Sequence, residues 1–124
     1  MIRPQRLILI EPDAGVRDAM LRLLQTEGWE VFALADTVTL DSVIGHDGIQ
    51  VVISEFTLPD MAATQLLELC KKVDIPVIFM GLDFSLQAAM DVIRQGALDF
   101  LEKPFARSRL IDLLSNVTTG KMSD

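Results

Sequence analysis

A single cysteine, Cys70, leaves this chain without an internal disulfide or a cysteine-based zinc site, and points to a reducing compartment. A single histidine, His46, stands in Gly45-His46-Asp47-Gly48 with no second histidine or cysteine beside it. It reads as a surface-turn residue rather than a metal ligand. Basic residues are in the minority, 11 Lys plus Arg against 18 Asp plus Glu, for a formal net charge of −7. That sign argues against direct nucleic acid binding and against an anionic membrane surface. No stretch approaches the roughly 18 apolar residues that a membrane span needs. The run Leu7 to Ile10 is too short for a signal-peptide core, so a cytoplasmic location is expected. No Gly-x-Gly-x-x-Gly follows that first run, and Gly120-Lys121 lacks the rest of a phosphate-cradling loop. No linker, low-complexity tract or break in composition divides the chain.

What is present is ordinary globular material. Half of the 124 residues are hydrophobic and 23% are charged, enough for one domain with one core. Five short apolar runs recur: Leu7 to Ile10, Val31 to Leu34, Val51 to Ile53, Val77 to Met80 and Leu98 to Leu101. Their hydrophobicity is continuous rather than alternating, which predicts strands covered on both faces. Amphipathic stretches fill the gaps. Val16, Ala19, Met20, Leu23 and Leu24 form a helical stripe with Asp13 as cap and Gly28 as stop; Arg17, Asp18 and Arg22 lie on its other faces. A weaker pattern over 38–44 ends at Gly45. A third stripe is Leu66, Leu67, Leu69 and Cys70, where Cys70 reads as a small buried residue. A fourth is Leu86, Ala89, Met90 and Ile93, capped by Ser85 and stopped by Gly96. A fifth is Leu110, Ile111, Leu114 and Val117. Strict β–α alternation predicts a parallel five-stranded sheet with helices on both faces, a three-layer α/β sandwich. One domain over 1–124 is expected, structured over about 6–118, with a tail from 119 to 124.

In open parallel sheets, sites form at the carboxyl ends of strands. There the chain places Glu11-Pro12-Asp13, Ser54-Glu55-Phe56-Thr57-Leu58-Pro59-Asp60, Gly81-Leu82-Asp83 and Glu102-Lys103-Pro104-Phe105. Carboxylates from two strand ends and a lysine from a third converge on one edge.

These residues resemble the receiver domain of two-component response regulators over about 6–118. The resemblance rests on the acidic strand end six residues before Arg17, an acid four residues before Pro59, the Gly96-Ala97…Asp99-Phe100 segment, and Lys103-Pro104-Phe105. It is similar to receivers that precede DNA-binding outputs of the nitrogen-fixation and nitrogen-regulation types. The resemblance implies a flavodoxin-like (βα)5 fold with strand order 2-1-3-4-5. It also implies a sensor kinase and a fused output domain as partners, and a homodimer through helix 4, strand 5 and helix 5. Candidates for that face are Ala89, Val92, Phe100, Leu101 and Arg109. In the family, a strand-3 aspartate takes a phosphoryl group from histidine, helped by a divalent metal and a lysine. A hydroxyl after strand 4 then draws an aromatic residue of strand 5 inward.

Carried over residue by residue, the match is partial. Glu55 stands at the phosphoacceptor position and Glu11 at the first acidic position. Pro12 replaces a metal-binding aspartate, and Gly81 replaces the threonine or serine. Phe100 holds the aromatic position and Lys103 the lysine position. Asp13 is the neighbouring acid, and a vestigial metal site remains at Glu11, Glu55 and the Thr57 backbone carbonyl. Glutamate is one methylene too long for in-line attack, and proline and glycine bring no side-chain oxygen. The expectation is an atypical receiver: a regulatory interaction module, not an enzyme, with no cofactor. The longer Glu55 side chain reaches toward where a phosphoryl oxygen would sit, which predicts a pair with Lys103. Two alternatives stand. One is a weakly phosphorylatable receiver using Glu55 or Asp60, with Mg2+ in a rearranged site. The other is a flavodoxin-like small-ligand binder or enzyme.

Overall fold

A computed structural model describes residues 5–46 and 48–119. The elements run β1 (Gln5–Ile10), α1 (Ala14–Thr26), β2 (Trp29–Leu34), α2 (Leu40–Ile44), β3 (Ile49–Glu55), α3 (Ala63–Lys72), β4 (Val77–Gly81), α4 (Leu86–Arg94), β5 (Asp99–Glu102) and α5 (Arg107–Thr119). All strands pair in parallel, in the order β2-β1-β3-β4-β5. The α/β sandwich and its strand order are those expected from the sequence.

The apolar runs are continuous because alternate residues feed two cores. Ile8, Ile10, Val52, Val77 and Phe79 pack with Leu66, Leu67 and Cys70 of α3 and Val92 of α4. Leu7, Leu9, Val51, Ile53, Ile78 and Met80 pack with Met20 and Leu24 of α1 and with Leu110 and Leu114 of α5. Burial pushes the Cys70 thiol up to about 12, so it stays protonated and inert.

Local chemistry sets the element ends. Asp13 Oδ1 accepts from the Val16 amide at 3.0 Å and caps α1. Gly28, at φ +93°, turns the chain out of that helix. Ser85 Oγ accepts from the Ala88 amide at 3.0 Å and caps α4.

Two helical stripes differ from the sequence reading. In α1, Val16 and Ala19 are exposed, but Met20, Leu23 and Leu24 of the same stripe face the core. In α4, Leu86, Met90 and Ile93 face solvent, and Ala89 and Val92 are buried. Apolar spacing identified both helices, and the rotation of α1 about its axis, but not that of α4. At α4 the small alanine and the β-branched valine pack on the sheet and the larger side chains stay outside. β5 begins at Asp99, one residue later than the apolar run, and α5 continues through Thr119, one residue into the expected tail. Residues 120–124, including Gly120-Lys121, and Asp47 lie outside the described residues. Among the described residues no helix is long and apolar enough to cross a membrane.

Candidate functional site

Parallel pairing brings four strand ends to one edge. Glu11 follows β1, Glu55 ends β3, Gly81 ends β4 and Lys103 follows β5. Backbone bonds fix each exit: the Glu11 amide to the Leu34 carbonyl at 2.9 Å, Phe56 to Met80 at 2.7 Å, and Lys103 to Gly81 at 2.8 Å. The Arg17 guanidinium donates to the Glu11 and Pro12 carbonyls at 2.8 and 3.3 Å and holds the first loop against α1. From its place off the apolar stripe, the guanidinium turns back to the strand end.

Lys103 Nζ bridges the two glutamates. It donates to Glu55 Oε1 at 2.6 Å and to Glu11 Oε1. The remaining oxygens are also engaged. Glu11 Oε2 accepts from the Asp13 amide at 3.1 Å, and Glu55 Oε2 from the Thr57 amide at 3.3 Å. Glu11 is only 2% exposed. A carboxylate that deep requires a charge partner, and Lys103 supplies it. Burial by itself would lower the Lys103 ammonium, but hydrogen bonds to and the charges of Glu11 and Glu55 outweigh it and hold the group above its usual value. Beside this triad lies a cleft of about 440 Å3 lined by Glu11, Pro12, Asp13, Glu55, Thr57, Leu82 and Asp83.

The Phe100 ring sits over Gly81. A Cβ on Gly81 would come 3.3 Å from Phe100 Cζ and 3.5 Å from Glu55 Oε2. Phe100 also packs on Phe84 and Phe56, at ring separations of 4.3 and 5.3 Å. The missing side chain at 81 leaves a gap bounded by the Phe100 ring and Glu55 Oε2. Phe56 and Phe84 are the site residues that sequence reasoning missed. The available signal was an aromatic residue within three positions after each of β3 and β4.

The sequence profile of the response regulator receiver domain matches residues 7–115. The chain belongs to this family. It is 30% identical over 94% of its length to the response regulator protein FleR of Pseudomonas aeruginosa, and 28% identical over 87% to the DNA-binding transcriptional regulator NtrC of Rhizobium meliloti. It covers 25% and 23% of those proteins, so it spans about a quarter of the curated relatives it matches. Among solved structures it resembles the signal receiver domain of a LuxO repressor protein from Vibrio parahaemolyticus, with a TM-score of 0.84, 26% identity, and 99% and 96% of the two chains covered. A receiver domain is a signalling module of two-component systems, and this membership favours that reading over the flavodoxin-like ligand binder.

The receiver cleft does not fit the divalent cation that the family implies. Such an ion takes six or more oxygen ligands, several of them water, and needs one or two free carboxylates from the protein. Here Pro12 offers no side-chain oxygen, Asp13 Oδ1 is engaged as the α1 cap, and Lys103 holds Oε1 of both glutamates. Among the described residues no group of three His, Cys, Asp or Glu is arranged for a metal. Asp60 stands apart from the triad, its Oδ2 accepting from the Thr37 amide and hydroxyl at 3.0 and 2.7 Å. His46 is exposed beside Phe32, at a ring separation of 5.1 Å.

The expected interaction face requires correction. Ala89, Val92 and Leu101 are buried, because they pack on the sheet or lie within it, and cannot meet a partner. Phe100 is half-buried in the aromatic cluster. Arg109 is exposed and pairs with Asp99 at 3.0 Å. The solvent side of α4 instead presents Leu86, Met90 and Ile93.

Proposed function

We propose that this receiver domain works outside the aspartyl-phosphate cycle, as a regulatory protein-interaction module held in one conformation. The supporting observation is the closed Glu11–Lys103–Glu55 triad with the Phe100 ring seated over Gly81. Lys103 pairs with carboxylates already present in the chain, so the ammonium that would balance a phosphoryl group is occupied. The aromatic ring is packed inward by its neighbours, without a hydroxyl at position 81 to draw it. On this reading the domain is not an enzyme and takes no cofactor. Its partners are proteins: a sensor kinase, a fused output domain in a longer cytoplasmic regulator, and a second copy through α4, β5 and α5. That self-contact uses the outward Leu86, Met90 and Ile93 with Arg109, in place of the buried Ala89, Val92 and Leu101.

Acetyl phosphate with millimolar Mg2+, followed by intact mass, tests the proposal. The expected spectrum is unchanged. An adduct of about 80 Da that disappears in Glu55→Gln would establish the phosphorylatable alternative instead.

A further inference from the structure

Little holds α4 to the sheet. The helix has nine residues, too few to be stable alone, and of these only Ala89 and Val92 are buried. Its longer apolar side chains, Leu86, Met90 and Ile93, face water. The chain enters the helix through residues 82–85. Leu82, Asp83 and Ser85 are exposed, and Phe84 alone turns inward. The Phe84 ring meets Phe100 of β5 at a centroid separation of 4.3 Å, with the ring planes tilted by 44°. Phe84 directly precedes Ser85, the cap of α4, whose Oγ accepts from the Ala88 amide at 3.0 Å. An apolar residue in that place often packs on the fourth residue of its own helix and fixes the angle of entry. Here the fourth residue is Ala89, which offers a single methyl group, and Phe100 supplies the aromatic surface instead. The entry of α4 is thereby set on a side chain of β5.

We propose that Phe84 is a positioning residue, whose ring on Phe100 ties the seat of Phe100 over Gly81 to the placement of α4 and so of its outward Leu86, Met90 and Ile93. At one end of this link, Phe100 Cζ lies 3.3 Å from where a Cβ on Gly81 would stand, with Glu55 Oε2 at 3.5 Å from the same point. At the other end, Phe84 is covalently joined to the cap of α4. A contact between aromatic rings contributes beyond the area it buries, so displacing one ring disturbs the other. Packing thus carries from position 81 to α4 a coupling for which this chain has no hydroxyl. The use of α4 as an interaction face rests on the function proposed above, and the link from Phe100 to α4 does not.

Amide hydrogen exchange of the 15N-labelled chain tests the link. Phe84→Ala should speed exchange at Met90, Asp91, Val92 and Ile93 by about two- to tenfold relative to Leu66, Leu67 and Cys70 of α3, the range that an aromatic pair supplies. Phe84→Leu, which keeps apolar bulk without the ring, should act in the same direction and to a smaller extent. Gly81→Thr, which crowds the Phe100 ring, should speed the same α4 amides in the wild-type chain and add less than about twofold once Phe84 is alanine. A residue that only filled space would leave the two effects independent. The assignment is overturned if Phe84→Ala leaves the α4 rates unchanged, if Gly81→Thr leaves them unchanged in the wild-type chain, or if Gly81→Thr raises them equally with and without the Phe84 ring. A phosphoryl adduct in the mass experiment would overturn the proposed function alone and leave these expected rates as they stand.

Discussion

Replacing Lys103 with methionine keeps an unbranched side chain and removes the one cation shared by two sheltered carboxylates. The side chains of Glu11, Glu55 and Lys103 are 3%, 15% and 18% exposed. Two oxygens that share one tetrahedral ammonium lie about 4 Å apart, where like charges repel by about 4 kcal/mol at an effective dielectric of 20. Each glutamate keeps a single backbone donor, from Asp13 or Thr57, so neither is solvated in compensation. Removing one partner from a buried pair costs about 3–5 kcal/mol, and partial exposure of Glu55 places this case near the lower end. Lys103→Met should therefore lose about 3 kcal/mol at neutral pH in urea unfolding, or about 10 °C in Tm. Adding Glu55→Gln to that variant should restore more than half of the loss, because the amide donates to Glu11. A loss under about 1 kcal/mol, the size of an exposed surface pair, would refute the reasoning.

Gly81→Thr places a Cβ 3.3 Å from the Phe100 ring and should push the ring away from position 81, at a cost of about 1–2 kcal/mol. Nuclear Overhauser contacts between Phe100 and the rings of Phe56 and Phe84 should weaken, and unchanged contacts would contradict the packing argument. The raised Lys103 value makes a prediction in alkali. Its contribution is fully present below the unfolded lysine value of about 10.4 and is lost as pH rises through the higher folded value. The stability difference between wild type and Lys103→Met should stay level from neutral pH to about 10 and vanish only above that, as urea titrations across the range would show.

The sheet was readable because both faces are covered: Leu7 and Leu9 feed one core, Ile8 and Ile10 the other, so the run stays apolar throughout. The rotation of α4 was not readable, since Leu86, Met90 and Ile93 repeat with helical period although they face water. At the site, Glu11, Glu55 and Lys103 could be placed at one edge from their positions after the strands. A link of Glu55 to Lys103 was foreseeable, but the bridge to Glu11 depends on how far the side chains extend across the edge, which residue order does not record. The seat of Phe100 over Gly81 was hidden for a related reason. A glycine shows that a side chain is missing, and only packing shows which neighbour takes the space. Trp29 begins β2, at the end of the sheet away from the cleft, so its fluorescence is a poor reporter of events there.

The ammonium of Lys103 meets a partner 48 residues upstream and another 92 residues upstream. During synthesis, a chain released only as far as β4 holds two acidic strand ends with nothing to neutralise them. The paired arrangement of this edge thus forms only after β5 and the residues just beyond it have left the ribosome. Completion of the edge is tied to near-completion of the domain, and a fragment truncated before position 103 carries its own electrostatic penalty against persisting as a folded competitor.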